Sequence, residues 1–278
     1  MRTKLMMFFI AGVMVFATNV CCAQTITRTQ LNDSLQKLPS FSSFEDNYFV
    51  SGLPTNSDID RNTADAKYQV SFKQMVTRDL LPYETYLFFT YTQKAFWNIY
   101  EESFPFRDIN FNPSFALGKA IYNKDDYLKG IAVLAFEHES NGRDSISSRS
   151  WNRLKASYTT KLFKNTTARF ELWAPFGLGE FNEDLIDFVG LGEIHVNHER
   201  INDKLTFNLM LRKGLGFDGK GAIRSRVYYN PFKSNKLNQY LMLEWYVGQG
   251  ESLLDYQKSS SIIRFGYVIK TSEFDWFR

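Results

Sequence analysis

Thiols are scarce in this chain, and their position limits what the protein can be. The only two cysteines are Cys21 and Cys22, close to the start. They follow a basic first segment and the apolar run 5–17, an order typical of a secretory signal peptide. We expect cleavage after Ala23, which leaves a mature chain without a disulfide framework or a cysteine metal site. A lipid anchor on either cysteine is disfavoured because Thr18, Asn19 and Val20 do not resemble the residues that usually precede a lipid-modified cysteine.

Long apolar runs and a strong charge are also absent. Beyond residue 23, no uninterrupted apolar stretch approaches the roughly 20 residues that a transmembrane helix requires. The net charge of +3 is too small to indicate nucleic-acid binding. No linker, solenoid repeat or internal domain boundary is evident. We therefore predict a signal peptide at 1–23, an N-terminal segment at 24–46 and one domain at 47–278.

Aromatic residues and alternation are what the chain has in abundance. Phe, Trp and Tyr make up 17% of the residues, and such residues gather where barrel strands cross membrane interfaces. Segments with a period of two recur between turn-like clusters, which predicts about twelve strands. The sequence thus predicts an all-β fold, a transmembrane antiparallel β-barrel with an apolar exterior and a polar lumen. The predicted strands begin near 48 and 68 and then cover 85–96, 112–121, 129–140, 151–163, 167–173, 193–197, 205–212, 222–232, 238–247 and 261–270.

The most informative stretch is the predicted hairpin 134–158. On its first strand, His138 and Ser140 fall on the apolar face, and on its second strand so does Asn152. Pairing the two apolar faces brings Asn152 beside the other two side chains. The opposite face carries acids on one strand and bases on the other, which can pair in the lumen: Glu137, Glu139, Arg153 and Lys155.

These three polar side chains fit nucleophilic acyl transfer. A serine needs a base to take its proton, and the base works better when its second nitrogen is held by an acceptor. Ser140, His138 and Asn152 would fill these roles, and a neutral amide suits a site beside lipid. Gly142 offers a backbone N–H for the oxyanion. The loop 143–148 is rich in the oxygen ligands that Ca²⁺ prefers, although solvated turns share that composition.

The motifs around this hairpin resemble those of outer membrane phospholipase A, a family of calcium-dependent barrel enzymes of Gram-negative bacteria that dimerisation activates. The block H-E-S-N-G-R at 138–143, followed by S-R-S-W-N-R at 148–153, is highly specific for that family. Shorter matches extend the resemblance over most of the chain, at 91–94, 101–103, 105–107 and 250–256.

The resemblance implies a phospholipase of A1 and A2 specificity, also acting on lysophospholipids, in the outer membrane. It implies that Ser140 is the nucleophile, His138 the base and Asn152 its orienting group. Gly142 would donate to the oxyanion. It further implies an active homodimer with Gln93 at the interface, although a glutamine near a strand end that simply reaches water is an equally good interpretation.

The resemblance also implies a calcium site shared between two subunits. Its ligands would be the backbone carbonyl of Arg143 and the hydroxyl of Ser148 from one subunit, and Ser103 from the other. The family pattern has Ser-Asp-Pro after the arginine, whereas this chain has Asp144, Ser145 and Ile146. The carboxylate of Asp144 is thus one position early, and its role in calcium binding is an open question.

Other interpretations compete with this one. A noncatalytic outer-membrane barrel, either a pore or a structural protein, is the main alternative. A secreted soluble lipase is disfavoured because the chain lacks the G-x-S-x-G elbow. His195 and His198 are three residues apart, which on a strand sends them to opposite faces, so we predict no metal site between them.

Overall fold

The computed structural model describes residues 26–37, 39–61, 63–77, 81–200, 204–232 and 238–271. The predicted signal peptide and its cleavage site lie outside the described residues. The helices are α1 (Arg28–Lys37) and α2 (Leu185–Val189), with short 3-10 turns at Ser145–Ser147 and Glu180–Asn182. The strands are β1 (Phe41–Ser43), β2 (Asn47–Pro54), β3 (Asp65–Met75), β4 (Thr85–Trp97), β5 (Phe106–Tyr122), β6 (Leu128–Ser140), β7 (Ser150–Phe163), β8 (Thr166–Phe176), β9 (Gly192–Arg200), β10 (Leu205–Lys213), β11 (Gly221–Tyr229), β12 (Gln239–Gly248) and β13 (Ser260–Ile269).

Strands β2 to β13 close into one barrel. Each of them pairs antiparallel with its neighbours along the chain, and β13 returns to pair with β2. The remaining short strand, β1, extends the sheet by pairing with the end of β3 that β2 does not reach. This arrangement confirms the predicted antiparallel barrel of twelve strands. Among the described helices, none has both the length and the apolar character needed to cross a membrane.

The two faces of the barrel wall differ as the period-two pattern predicts. On β6, Leu134 and Phe136 are 47% and 48% exposed, whereas Glu137 on the opposite face is 3% exposed. Aromatic rings also line the outside, where Phe89 and Phe115 of adjacent strands lie with ring centroids 5.3 Å apart. An apolar exterior around a polar interior is the arrangement of a membrane-spanning barrel.

Ion pairs between strands cross the lumen in the described part of the chain. Arg264 is 1% exposed and donates to Asp65 at 2.7 Å and to Glu251 at 2.6 Å. Lys67 bonds Glu244 and also reaches Glu251 at 2.8 Å. Buried charges of both signs in contact offset much of the desolvation that each would otherwise suffer. The wall strands are thereby tied together across the inside.

Helix α1 covers one end of the barrel. Leu31 and Leu35 on the helix are buried against Met75, Tyr86 and Leu128 of the wall. Tyr86 lies at the start of β4 and Leu128 at the start of β6, so the helix lies at the end opposite to residue 140, where β6 finishes. Both α1 and β1 fall within the predicted segment 24–46, whose separation from the barrel domain stays a prediction.

Candidate active site on the outer wall

Strands β6 and β7 place the predicted catalytic residues in one register. His138 is directly opposite Asn152, and Ser140 is directly opposite Ser150. His138 and Ser140 have the same parity as the exposed Leu134, so they lie on the outer face of β6. The polar residues of this hairpin therefore divide into an outer and an inner set.

The structure joins two of the outer residues directly. His138 Nδ1 and Asn152 Oδ1 are 2.9 Å apart, and because an amide oxygen can only accept, Nδ1 carries the proton in this hydrogen bond. In a neutral imidazole this leaves Nε2 as the basic nitrogen. Ser140 follows two residues along the same face of β6. The arrangement thus holds the imidazole through Nδ1 and places the Ser140 side chain two residues away on the same strand face, without a hydrogen bond between these two described residues.

The loop after β6 is folded by Asn141, whose function the sequence analysis missed. Its side chain is 4% exposed. The amide oxygen accepts from the backbone N–H of Arg149 at 2.9 Å and of Arg143 at 3.3 Å, and the amide nitrogen donates to the carbonyl of Ser147 at 2.9 Å. An asparagine directly after a candidate nucleophile was the available signal. Asn141 thus closes the loop that carries the proposed calcium ligands.

Gly142 takes a conformation that favours glycine. Its φ is +62°, and a Cβ at this position would lie 3.0 Å from a ring carbon of Phe111 on β5. Both the left-handed backbone and the close ring disfavour any larger residue. The tight turn begins two residues after Ser140.

The carboxylate of Asp144 makes hydrogen bonds within its own turn. It caps the 3-10 turn, and its carboxylate accepts from the backbone N–H of Ser145 and lies 3.2 Å from the hydroxyl of the same residue. Ser148 ends the turn, with its N–H donating to the Ser145 carbonyl at 2.9 Å. The sequence departure from the family pattern therefore has a local structural role, that of a turn cap.

Two other predicted residues lie near the same end of the barrel. The Arg143 guanidinium extends to β5, where it bonds the Arg107 carbonyl and lies 3.8 Å from Asp108. Ser103 is exposed in the loop between β4 and β5, with a φ of +67°. Because β4 ends and β5 begins where β6 ends, this loop and the loop after Ser140 share one rim.

Gln93 finds partners within its own chain. Its amide oxygen accepts from the Tyr91 hydroxyl at 3.1 Å, and its amide nitrogen donates to the Tyr68 hydroxyl at 3.4 Å. The half-buried amide thus belongs to a small polar group on β3 and β4. This contact set compensates a polar residue in an apolar stripe.

Behind the site, the inner wall of the same hairpin is packed and paired. Trp151 is 3% exposed and donates from Nε1 to Glu139 at 3.1 Å. Its ring meets Trp173 edge-on, with centroids 6.3 Å apart, and the Arg153 guanidinium lies 4.5 Å from its centroid. The strand segment that carries Asn152 on its outer side is thus held from the inside.

The remaining histidines lie elsewhere. His195 is buried in the lumen with Nε2 2.8 Å from Glu193, whereas His198 Nδ1 lies 2.9 Å from the Thr166 hydroxyl. Within the described residues, Glu171 joins the first pair to form a group of three possible metal ligands, which the sequence did not reveal. Cations already surround this group, with Arg169 2.7 Å from Glu171, and like charges oppose a further dication. Lys155 and Arg212 also lie within 4 Å of its carboxylates.

Comparisons with known proteins identify the family of the chain and agree with its barrel fold. The sequence profile of the family described as phospholipase A1 matches residues 32–269. A putative phospholipase A1 of Neisseria meningitidis is 32% identical over 214 residues, which are 74% of this chain and 54% of that protein. The chain thus spans about half the length of that relative. The phospholipase A1 of Escherichia coli K12 is 28% identical over 210 residues, covering 74% of this chain and 69% of the relative.

Solved structures share the fold. Outer membrane phospholipase A from Escherichia coli superposes with a TM-score of 0.73 at 22% identity, covering 85% of this chain and 96% of the other. The Salmonella typhi outer membrane phospholipase, solved as a dimer with bound calcium, gives a TM-score of 0.73 at 22% identity, covering 87% and 97%. At such identity the likeness concerns the barrel alone.

Proposed function

The chain belongs to the phospholipase A1 family, and on that premise we propose that it hydrolyses phospholipid acyl esters with Ser140, His138 and Asn152 as its catalytic triad. It is an outer-membrane barrel, and the proposed substrates are phospholipids and lysophospholipids, at either acyl position. One observation carries the proposal: the 2.9 Å hydrogen bond between His138 and Asn152 on an apolar outer wall. Polar groups at lipid-facing positions need compensation and usually mark function.

The proposed reaction follows the serine acyl-transfer scheme. Ser140 Oγ attacks the ester carbonyl carbon while His138 Nε2 takes the hydroxyl proton. His138 then returns that proton to the leaving alcohol, which departs as a lysophospholipid. A water molecule, deprotonated by the same nitrogen, then attacks the acyl carbon, the bond to Ser140 Oγ breaks, and His138 returns the proton to that oxygen as the fatty acid leaves. Asn152 holds the imidazole in the required tautomer without adding a negative charge that lipid would penalise.

We further propose that Gly142 donates its N–H to the oxyanion. The left-handed turn at Gly142, two residues from Ser140, supports this role. Oxygen donors of the same loop fit Ca²⁺, with the Arg143 carbonyl and the Ser148 hydroxyl from one subunit and Ser103 of the partner subunit. When bound, such a cation supplies positive potential near the developing oxyanion. The exposure of the Ser103 loop is what a ligand shared with another subunit needs.

The outer location suggests how activity is controlled. Lipid can reach Ser140 by diffusing within the leaflet, so an unrestrained enzyme would digest its own membrane. We propose that the monomer is inactive and that calcium and a second subunit complete the site when phospholipids enter the outer leaflet. The contact would use the aromatic outer face of β3 to β5 around Gln93. EDTA and dilution to monomer are each expected to depress hydrolysis, and unchanged turnover under both treatments would contradict this control.

The experiment that tests the proposed function measures acyl-ester hydrolysis by the purified protein in detergent micelles with Ca²⁺. Ser140→Ala is expected to lose activity by about 10⁴-fold or more, since the nucleophile is removed. Ser157→Ala, on the inner face of β7, is the matched control and is expected to keep wild-type activity.

A folded barrel must be verified for each variant by its heat-modifiable mobility on gels. Hydrolysis that survives Ser140→Ala contradicts the proposed triad. Ion conductance in planar bilayers by a protein that shows no hydrolysis would instead favour the noncatalytic pore.

A further inference from the structure

The pairing of β5 with β6 is interrupted beside the proposed base. Phe111 pairs with Ser140 and Ser114 pairs with Glu137, but the two intervening pairs are missing from the ladder. The register on either side sets Pro113 directly opposite His138. Proline has no backbone N–H to donate. Within β-sheets it is therefore confined to edge strands, strand starts and bulges. A closed barrel has no edges, so Pro113 in the middle of β5 is unusual.

The side chain before the proline replaces the missing donor. Asn112 Nδ2 donates to the His138 carbonyl at 2.7 Å. A carbonyl oxygen can only accept, so the amide NH₂ must face it. Asn112 itself is held in register on its other side, opposite Thr92 of β4. The hydrogen bond that a backbone would make at this point is made by an asparagine side chain instead.

Two amides therefore hold one residue from two neighbouring strands. Asn112 bonds the His138 backbone from β5, and Asn152 bonds the His138 imidazole from β7. The first fixes the position of the strand at His138, and the second fixes the direction of the ring. Catalytic geometry tolerates little error, because a misplacement of about 1 Å can lower a rate by about 10²-fold.

We propose that Asn112 is a positioning residue for His138, supplying the ladder hydrogen bond that Pro113 cannot make. This inference rests on the proposed function, since it takes His138 as the catalytic base. Asn112 lies on the lumen side of the wall and acts through the backbone, so it needs no contact with the substrate.

The test exploits the proline itself. Asn112→Ala removes the donor and is expected to lower kcat by about tenfold to a hundredfold while KM changes less than about twofold. Pro113→Ala restores a backbone N–H opposite the same carbonyl. The double variant Asn112→Ala/Pro113→Ala is therefore expected to recover at least about half of wild-type kcat, a rescue that a merely structural role of the asparagine does not predict.

Two further variants test whether the hydrogen bond to the His138 carbonyl is what matters. Asn112→Asp keeps the shape of the side chain but places a carboxylate against the His138 carbonyl. The loss of kcat in this variant should equal or exceed the loss in Asn112→Ala. Ser114→Ala is the matched control, because this side chain shares the inner face of β5 but bonds Thr90 of β4 rather than β6. It is expected to keep wild-type kcat.

Each outcome decides the proposal. Wild-type kcat in folded Asn112→Ala, or a double variant as slow as the single one, would overturn it. Should Asn112→Ala fail to fold, the comparison of the double variant with Pro113→Ala remains, and equal kcat is expected. Ser140→Ala is measured alongside. Hydrolysis that survives in Ser140→Ala would contradict the proposed function. If Ser140→Ala is inactive but Asn112→Ala keeps wild-type kcat, only the inference about Asn112 fails.

Discussion

The two sides of the β6–β7 hairpin carry polar groups of opposite kinds. On the inner side, Glu137 pairs with Arg153 at 2.5 Å and with Lys155 at 2.7 Å, and its carboxylate is almost fully buried. On the outer side, the His138 imidazole and the Asn152 amide form a hydrogen bond, and no carboxylate takes part in it. Isolated charges are far more costly to desolvate than neutral polar groups. The proposed site on the outer wall therefore uses an amide rather than a carboxylate beside its histidine, whereas the carboxylates of this hairpin lie in the lumen beside basic partners.

The two sides of the hairpin are expected to contribute differently. The inner ion pairs stabilise the pairing of the strands, and the proposed catalytic residues on the outer side depend on the geometry that this pairing sets. Substitutions on the inner side should then lower stability, and substitutions on the outer side should lower activity.

The largest effect on the inner side is expected from Glu137→Gln. Removing this carboxylate leaves Arg153 and Lys155 without their shortest ion pairs, which should lower the free energy of unfolding by about 3 kcal/mol or more. Urea unfolding in micelles measures it. Glu139→Gln is the control with a smaller expected loss, since its pair with Arg153 is longer at 3.6 Å. Equal stability of Glu137→Gln and wild type would remove the structural role assigned to the inner face.

On the outer side, Asn152→Ala should lower kcat by about a hundredfold, because an unoriented imidazole is a poor general base. Its free energy of unfolding should change by only about 1 kcal/mol. The same two measurements on Asn208→Ala, a buried inner asparagine of β10, should show no loss of kcat. A variant Asn152→Ala that loses stability but not kcat would reverse the comparison.

On the inner side, the stability of the fold is expected to depend on acid pH through Glu251. Glu251 lies in the loop after β12, where burial opposes its ionisation but Arg264 and Lys67 outweigh this and lower its pKa to about 2. A depressed folded-state pKa stabilises the fold above the unfolded value, near 4.3, and the stabilisation is lost as the pH falls towards 2. Stability should therefore fall below about pH 4.3, and Glu251→Gln should show a shallower fall. An identical acid profile for both proteins would contradict this assignment.

The smallest effect is expected in the rim loop after β6, from Asp144→Asn. The carboxylate caps its own turn, and asparagine caps as well as aspartate. Calcium dependence should persist, with half-maximal activation shifted by less than about threefold. A calcium titration of hydrolysis tests this, with Ser148→Ala as the comparison that should shift far more. A shift above about tenfold for Asp144→Asn would make its carboxylate a direct ligand.

The strands and faces of the wall were predictable, but their limits were less so. The strand predicted from residue 112 begins six residues earlier, at Phe106. Asp108, Asn110 and Pro113 all disfavour strands by local preference, and the barrel overrides this because β4 pairs with each of them. Helix α1 was not predicted, since only two buried leucines mark its apolar face.

The candidate site divides in the same way. That His138 faces Asn152 follows from alternation and a hairpin of neighbouring strands, both of which are local properties. The roles of Asn141 and Asn112 could not be predicted, because each depends on a backbone partner that only the folded loop or the adjacent strand supplies. Likewise, nothing in sequence spacing brings Glu171 beside Glu193 and His195.

The sequence by itself determined which side chains face lipid and which face the lumen, because a strand alternates its side chains whatever its neighbours are. It also determined the polar set on the outer wall, through two motifs whose spacing fits one hairpin. Only the tertiary structure decided which residues complete one another across strands. Hydrogen-bond partners and ion pairs between distant segments, from Asp65 with Arg264 to Asn112 with His138, depend on the register of a closed sheet, and closure is a property of all twelve strands together.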